Sequence, residues 1–217
     1  MMNMVDEFVF FEDVDYTRRD WRNRNIIPTP NGVSWLTVPV NKAERGTKIK
    51  DVTINQEIDW QRKHYLTITG FYKKAPYFED FRFLIEDIYL HHHWEVLSDM
   101  NIYINQKIAG VLGITTSFVN SADLHTNGTK DDKLIEICQR LEATHYLSGP
   151  SAKNYIIEEK FRNANVGLSY IKYEGYPEYK QLYGSFNHNV SVIDVLFNCG
   201  KNAPDYIFKG EEEIVIP

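Results

Sequence analysis

The chain has 217 residues, 43% of them hydrophobic and 14% aromatic, which is enough to bury a core and excludes a wholly disordered chain. Its formal net charge is −6. A general nucleic-acid binder carries the opposite balance, so any anion site has to be local. No run approaches the ~18 apolar residues of a spanning helix, and the start, MMNMVDEFVFF, has no basic region ahead of its short apolar run. These features predict a cytoplasmic protein without membrane insertion.

Phe8–Phe11 reads as a buried strand ending in an acidic turn that holds Glu12, Asp13 and Asp15. Carboxylates at the carboxyl end of a strand lie where open α/β sheets place ligands, or they form a solvated turn. The run TRRDWRNRN follows, with Arg18, Arg19, Arg22 and Arg24 interleaved with Trp21, Asn23 and Asn25. In an acidic chain this is a local positive patch. The arginine fork suits phosphate or carboxylate, and an indole stacks on a base or a guanidinium. The alternative is a surface charge run paired with neighbouring acids.

Asn31-Gly32 predicts a hairpin turn between apolar runs, with a strand over Trp35–Val40 that Pro39 confines to an edge or an end. A polar loop covers Lys42–Lys50, and a short strand is expected over Lys50–Asn55. Helices are predicted over Ile58–Lys74, from Pro76 to about His91, and over Leu97–Leu112 with Ser98 as N-cap and Gly113 closing. His91, His92 and His93 invite a metal reading, but adjacent helical positions diverge and no third ligand is apparent. The histidines instead suit the negative end of a helix.

A strand at Thr115–Val119, a polar loop and a helix from about Asp131 lead into THYLSGPSAKNYIIEEKF, residues 144–161. This reads as a strand at Tyr146, a Ser-Gly-Pro-Ser turn, and a helix from Ser151 to about Asn163. A strand running through small residues into a helix can offer N–H groups to an anion, or be an ordinary connection. A strand over Val166–Lys172 completes a βαβ crossover and so a parallel pairing. A last apolar helix covers Val190–Asn198, closed by Gly200, and the tail from Lys209 is expected to fray. The pattern predicts one α/β domain over residues 1–217, with a mainly parallel central sheet flanked by helices. It includes a largely helical segment over 56–113 and an acidic tail over 209–217. Cys138 and Cys199 are far apart, form no CxxC pair, and carry no metal signature. Cys138 lies on an apolar helix face and is expected to be buried, which leaves Cys199 the better of two weak nucleophile candidates.

Several blocks together resemble the WbqC-like family of bacterial polysaccharide and O-antigen gene clusters. They are FVFFEDVDYTRRDWRNRN (8–25), WLTVPV (35–40), APYFEDF (75–81), LGITTSF (112–118), THYLSGPSAKNYI (144–156) and YKQLYGSFNHNVSVIDVLFNCG (179–200). One departure is that the Gln-Pro…Pro-Trp…Gly-Tyr strand usual ahead of the first block has no counterpart here. The resemblance implies transfer of an acyl or aminoacyl group, including glycyl, to a nucleotide-linked amino sugar. By position it singles out Asp13, Arg19, Trp21, Asn23 and Arg24, then Tyr146, Ser148, Gly149, Ser151 and Tyr155, then Gln181, Phe186, Ser191 and Asp194.

N-acyl transfer needs a base for the amine proton and donors for the oxyanion. His145 and His188 are the histidines nearest these blocks, and Asp13 or Asp194 could orient one of them. Asp194 could equally face solvent or cap a neighbour, and Tyr155 and Phe186 could be core. The run Arg18 to Arg24 would hold a diphosphate or carboxylate, and the Ser148–Ser151 turn a second anionic group. This reading expects the turn and the arginines at one edge of one sheet. The expected ligand is small, anionic and nucleotide-linked. Two other readings stand beside it: a carboxylate-activating enzyme that uses ATP, without a P-loop motif, and a non-catalytic assembly protein of the same pathway.

Overall fold

The computed structural model describes residues 1–208 and the backbone of Glu211–Val215. In chain order the principal elements are β1 (Glu7–Phe10), β2 (Arg24–Thr29), β3 (Gly32–Thr37), α1 (Trp60–Tyr72), α2 (Phe78–Leu90), α3 (Leu97–Val111) and β4 (Ser117–Asn120). They continue with α4 (Lys130–Arg140), β5 (His145–Ser148), α5 (Glu158–Asn163), β6 (Gly167–Glu174), α6 (Ile193–Cys199), α7 (Ala203–Ile207) and β7 (Glu211–Val215). The α/β class holds. The strands are shared among three short sheets, β1-β4, β2-β3 and β5-β6-β7, where one central sheet was expected.

The chain falls into two compact units. The first takes Met1–Glu12, Ile114–Tyr176 and the chain from Phe208; the second takes Asp13–Gly113 and Pro177–Ile207. In the first unit β1 pairs in parallel with β4, from Glu7 opposite Ser117 to Phe10 opposite Asn120. The expected βαβ crossover is present, with β5 parallel to β6, from His145 opposite Gly167 to Ser148 opposite Tyr170. Its core gathers Ile135 and Cys138 of α4, Ala152, Ile156, Phe161 and Leu168.

The helix expected over Ser151–Asn163 is broken. Pro150–Asn154 form a 3-10 turn, and α5 starts only at Glu158. Ile156 turns into the core while Ile157 stays exposed, and the Ile157 N–H is captured by the Asp131 carboxylate at 3.2 Å. A side-chain acceptor there replaces the backbone carbonyl that a continuous helix would supply. The tail also departs from expectation, since the backbone of β7 pairs antiparallel with β6. Lys209, Gly210, Ile216 and Pro217 lie outside the described residues.

In the second unit β2 and β3 form the predicted hairpin, from Arg24 opposite Thr37 to Thr29 opposite Gly32. The two-residue loop is Pro30-Asn31, and Gly32 takes φ +115°, which side chains avoid. The strand expected over Lys50–Asn55 is a 3-10 turn, Ile49–Asp51, followed by isolated bridges at Thr53 and Ile54. Ser98 is not the cap of α3. Leu97, fully buried, already begins the helix, and Ser98 lies inside its first turn. One core of this unit joins Ile27 and Leu36 to Ile68, Tyr72, Phe78, Ile85 and Phe197. A second gathers Val52, Trp60, Trp94, Leu97 and Met100. Gly200 ends α6 with φ +62°, and a Cβ there would come within 2.5 Å of the Tyr77 ring.

Candidate functional site

The arginine run is organised by its one carboxylate. The Asp20 carboxylate accepts from the Arg22 backbone N–H at 2.9 Å, from the Thr17 hydroxyl and from the Arg22 guanidinium. That ion pair removes Arg22 from the free positive charge. Asn101 Nδ2 fixes the turn by donating to the Arg22 carbonyl at 2.8 Å. Asn23 extends the hairpin, exchanging bonds with Val38 through its backbone carbonyl (2.8 Å) and its side-chain amide (2.9 Å). Arg19 adopts φ +61°, a left-handed conformation costly for a residue with a Cβ. From there its carbonyl accepts from Arg24 Nη2 at 2.7 Å.

Arg18, Arg19, Asn23 and Arg24 line one cleft of about 440 Å³, together with Tyr16, Thr37, Asn41 and Lys42. Among the described residues no ion pair joins Arg18, Arg19 or Arg24 to a carboxylate. Arg18 donates instead to the Ala43 carbonyl. Arg24 Nε is buried without a partner. An arginine-lined cleft with donors left over has the chemistry to accept an anion.

An aromatic pair adjoins Arg24, outside the residues that line the cleft. The Arg24 guanidinium lies 4.5 Å from the centre of the Trp35 ring, and the Trp21 ring lies 5.4 Å from that of Trp35. Both indoles are solvent-exposed, Trp21 at 63% and Trp35 at 47%. Sequence reasoning missed Trp35, Tyr16, Asn41 and Lys42. A signal for Trp35 was present: the hairpin register sets Trp35 opposite Ile26, hence diagonal to Arg24 on the same face.

Gln181 and Asp194 belong to a different feature of the same unit. Asp194 is fully buried and accepts from Tyr72 Oη (2.7 Å), Tyr179 Oη (2.7 Å), Gln181 Nε2 (2.9 Å) and Asn198 Nδ2 (3.2 Å). Burial raises its pKa above the usual aspartate value, against the pull of these donors. It neither faces solvent nor caps a neighbour. Gln181 also donates to the Asn187 carbonyl and accepts its N–H, so the pair anchors the Tyr179–Asn189 loop onto α6. Ser191 donates its N–H to the Ile26 carbonyl of β2 at 2.8 Å. His188 is exposed, with its ring edge-on to Phe186. Phe186 is partly buried and packs against Tyr179.

The remaining predicted residues lie elsewhere. Asp13 is partly buried at the start of the second unit. His145, Ser148, Gly149, Ser151 and Tyr155 all belong to the first unit. Ser148 is buried at the end of β5, Ser151 is exposed, and Tyr155 stands in solvent rather than in a core. His145 Nε2 bonds to the buried Ser169 hydroxyl, and both line a largely apolar cleft of about 710 Å³ with Ile137 and Cys138. The turn and the arginines do not share one sheet edge. The turn follows β5 of the three-stranded sheet, whereas the arginines lead into the β2-β3 hairpin, a separate two-stranded sheet.

Among the described residues no cluster of His, Cys, Asp and Glu could hold a metal ion. His92 stacks on Trp94 and bonds to Tyr103 Oη at 2.8 Å, while His91 and His93 are exposed. Both cysteines are buried, and burial pushes each thiol up to about 11, so neither is an activated nucleophile. No described helix is long and apolar enough to cross a membrane.

Comparison with known proteins agrees with these blocks. The uncharacterized protein Rv1507c of Mycobacterium tuberculosis is 39% identical over 208 residues, which is 95% of this chain and 90% of that protein. No solved structure matches the chain. The WbqC-like protein family matches residues 1–206, a span that includes the whole arginine cleft and the Asp194 anchor. The chain belongs to the WbqC-like protein family.

Proposed function

We propose that this protein is a transferase that moves an acyl or aminoacyl group onto the amine of a nucleotide-linked amino sugar in surface-polysaccharide biosynthesis. The observation that carries the reading is the cleft in which Arg18, Arg19 and Arg24 have no carboxylate partner. A diphosphate offers the charge and the bidentate oxygens that guanidinium forks select. The polysaccharide setting comes from the family resemblance.

In the reaction, the amine nitrogen attacks the donor carbonyl and a C–N bond forms. The amine loses a proton to a base, and the bond to the leaving group breaks. His188 is an exposed histidine of the unit that holds the arginine cleft. His145 lines the cleft of the other unit. These two, with Asp13, are the base candidates under this reading. Asp194, expected from the sequence as a catalytic candidate, is fully buried and under this reading positions the Tyr179–Asn189 loop. The Ser148–Ser151 turn, with Gly149, is assigned to a second anionic group, and Tyr155 to substrate binding.

Thermal-shift measurements with UDP- and dTDP-linked amino sugars, and with ATP plus amino acids, test the proposal. A rise with the nucleotide sugars alone is expected. A rise only with ATP plus an amino acid would replace it with the carboxylate-activating reading. No shift with any ligand, alongside a co-purifying protein, would sink both.

A further inference from the structure

We propose that the two exposed indoles beside the arginine cleft form the base-recognition surface of this site. The ligand is then a nucleoside diphosphate whose base stacks on Trp21 while its phosphates meet Arg19 and Arg24. The inference rests on the anion-binding reading of the cleft and deepens it by naming what the rest of the ligand must carry.

Three observations support it. Trp21 exposes 63% of its surface and Trp35 47%, which leaves a broad apolar area in water beside a cationic cleft. The two rings lie 5.4 Å apart with a 35° tilt, so each braces the other. The Arg24 guanidinium lies over Trp35, and its Nη2 is fixed by the Arg19 carbonyl, so the cation is set in place before any ligand arrives. An inorganic anion would use the arginines and leave the indoles bare. A planar aromatic ring joined to a diphosphate uses both. Stacking on an indole needs only a π-face, so the surface selects for a nucleotide without fixing which base. The aromatic pair is also preorganised: Trp35 projects from β3 in register with β2, and Arg24 opens β2.

The test is calorimetric titration of the full chain with UDP, dTDP and ADP, the tightest of the three taken forward, and with inorganic pyrophosphate. The nucleotide should bind about 10-fold tighter than pyrophosphate. Trp21→Ala should remove about that factor for the nucleotide, leave pyrophosphate unchanged, and preserve the melting temperature. Trp21→Phe should recover most of the loss. Equal affinity of nucleotide and pyrophosphate for the native chain, or full nucleotide affinity in Trp21→Ala, would overturn the stacking inference and leave the anion site standing. Failure of every nucleotide and of pyrophosphate to bind the native chain would overturn both.

Discussion

The Arg24 guanidinium lies 4.5 Å above the Trp35 ring, with its Nη2 held at 2.7 Å from the Arg19 carbonyl. Two backbone choices produce this contact. A left-handed Arg19 aims its carbonyl at Arg24, and the hairpin register brings the indole beneath it. The charge is thus fixed by a neighbour without being neutralised by one.

Arg19→Ala and Arg24→Ala should each weaken diphosphate binding about 10-fold while the fold is retained, since a charge-assisted hydrogen bond contributes about 1.5–3 kcal/mol. Arg24→Lys should not restore affinity, because an ammonium keeps the charge but loses the planar stack and the fork. Calorimetry at two ionic strengths checks both points, with native affinity falling as salt rises. Unchanged affinity in both alanine variants would discard the site.

His64 of α1 is buried against Trp60 and Tyr89, and burial pushes its pKa down to about 4. It folds neutral and protonates readily only when unfolded. Its contribution is therefore present above the unfolded value near 6.5 and is lost as pH falls toward 4, about 3 kcal/mol across that window. Urea melts in a pH series should show this acid limb in the native chain and a flatter one in His64→Phe. Identical limbs would show that His64 is not the group responsible.

Asp194→Ala leaves Tyr72, Tyr179, Gln181 and Asn198 without their shared acceptor. The expected loss is about 3 kcal/mol, read as a melting temperature lower by roughly 10 °C. Asp194→Asn keeps the shape and one acceptor oxygen and should cost less. The folded pKa of Asp194 lies above its ordinary value. Its protonated form therefore favours folding at low pH, and that contribution declines as pH rises through the folded pKa, a slope the Asn variant should lack.

Cys138 and Cys199 should resist iodoacetamide at pH 8 in the folded chain and react at once in denaturant, because burial holds both thiols protonated and covered. Mass spectrometry reads the label. Rapid native labelling of Cys199 would reopen a thiol mechanism.

Much of this protein was legible from local chemistry. The periods of α1, α3 and α4, the Asn-Gly turn signal of the β2-β3 hairpin and the βαβ crossover each depend on residues close in sequence. So did the density of arginines around Trp21. Local signals failed where a distant partner intervened, as when the Asp131 carboxylate took the Ile157 N–H and broke the helix after Ser151. They failed again at Ser98, because burial of Leu97 set the start of α3 two residues earlier than a cap at Ser98 would.

The sequence by itself determined the family, the α/β class and the residue types able to meet an anion. Only the tertiary structure decided which of those residues act together. It placed Asp20 on Arg22 and left Arg18, Arg19 and Arg24 without a carboxylate partner, enclosed Asp194 among two tyrosines and two amides, and brought Trp35 under Arg24. The reason is physical. A side chain's type sets its possible partners, whereas pairing and desolvation depend on what folding brings within a few ångströms, and that distance is not written in sequence order.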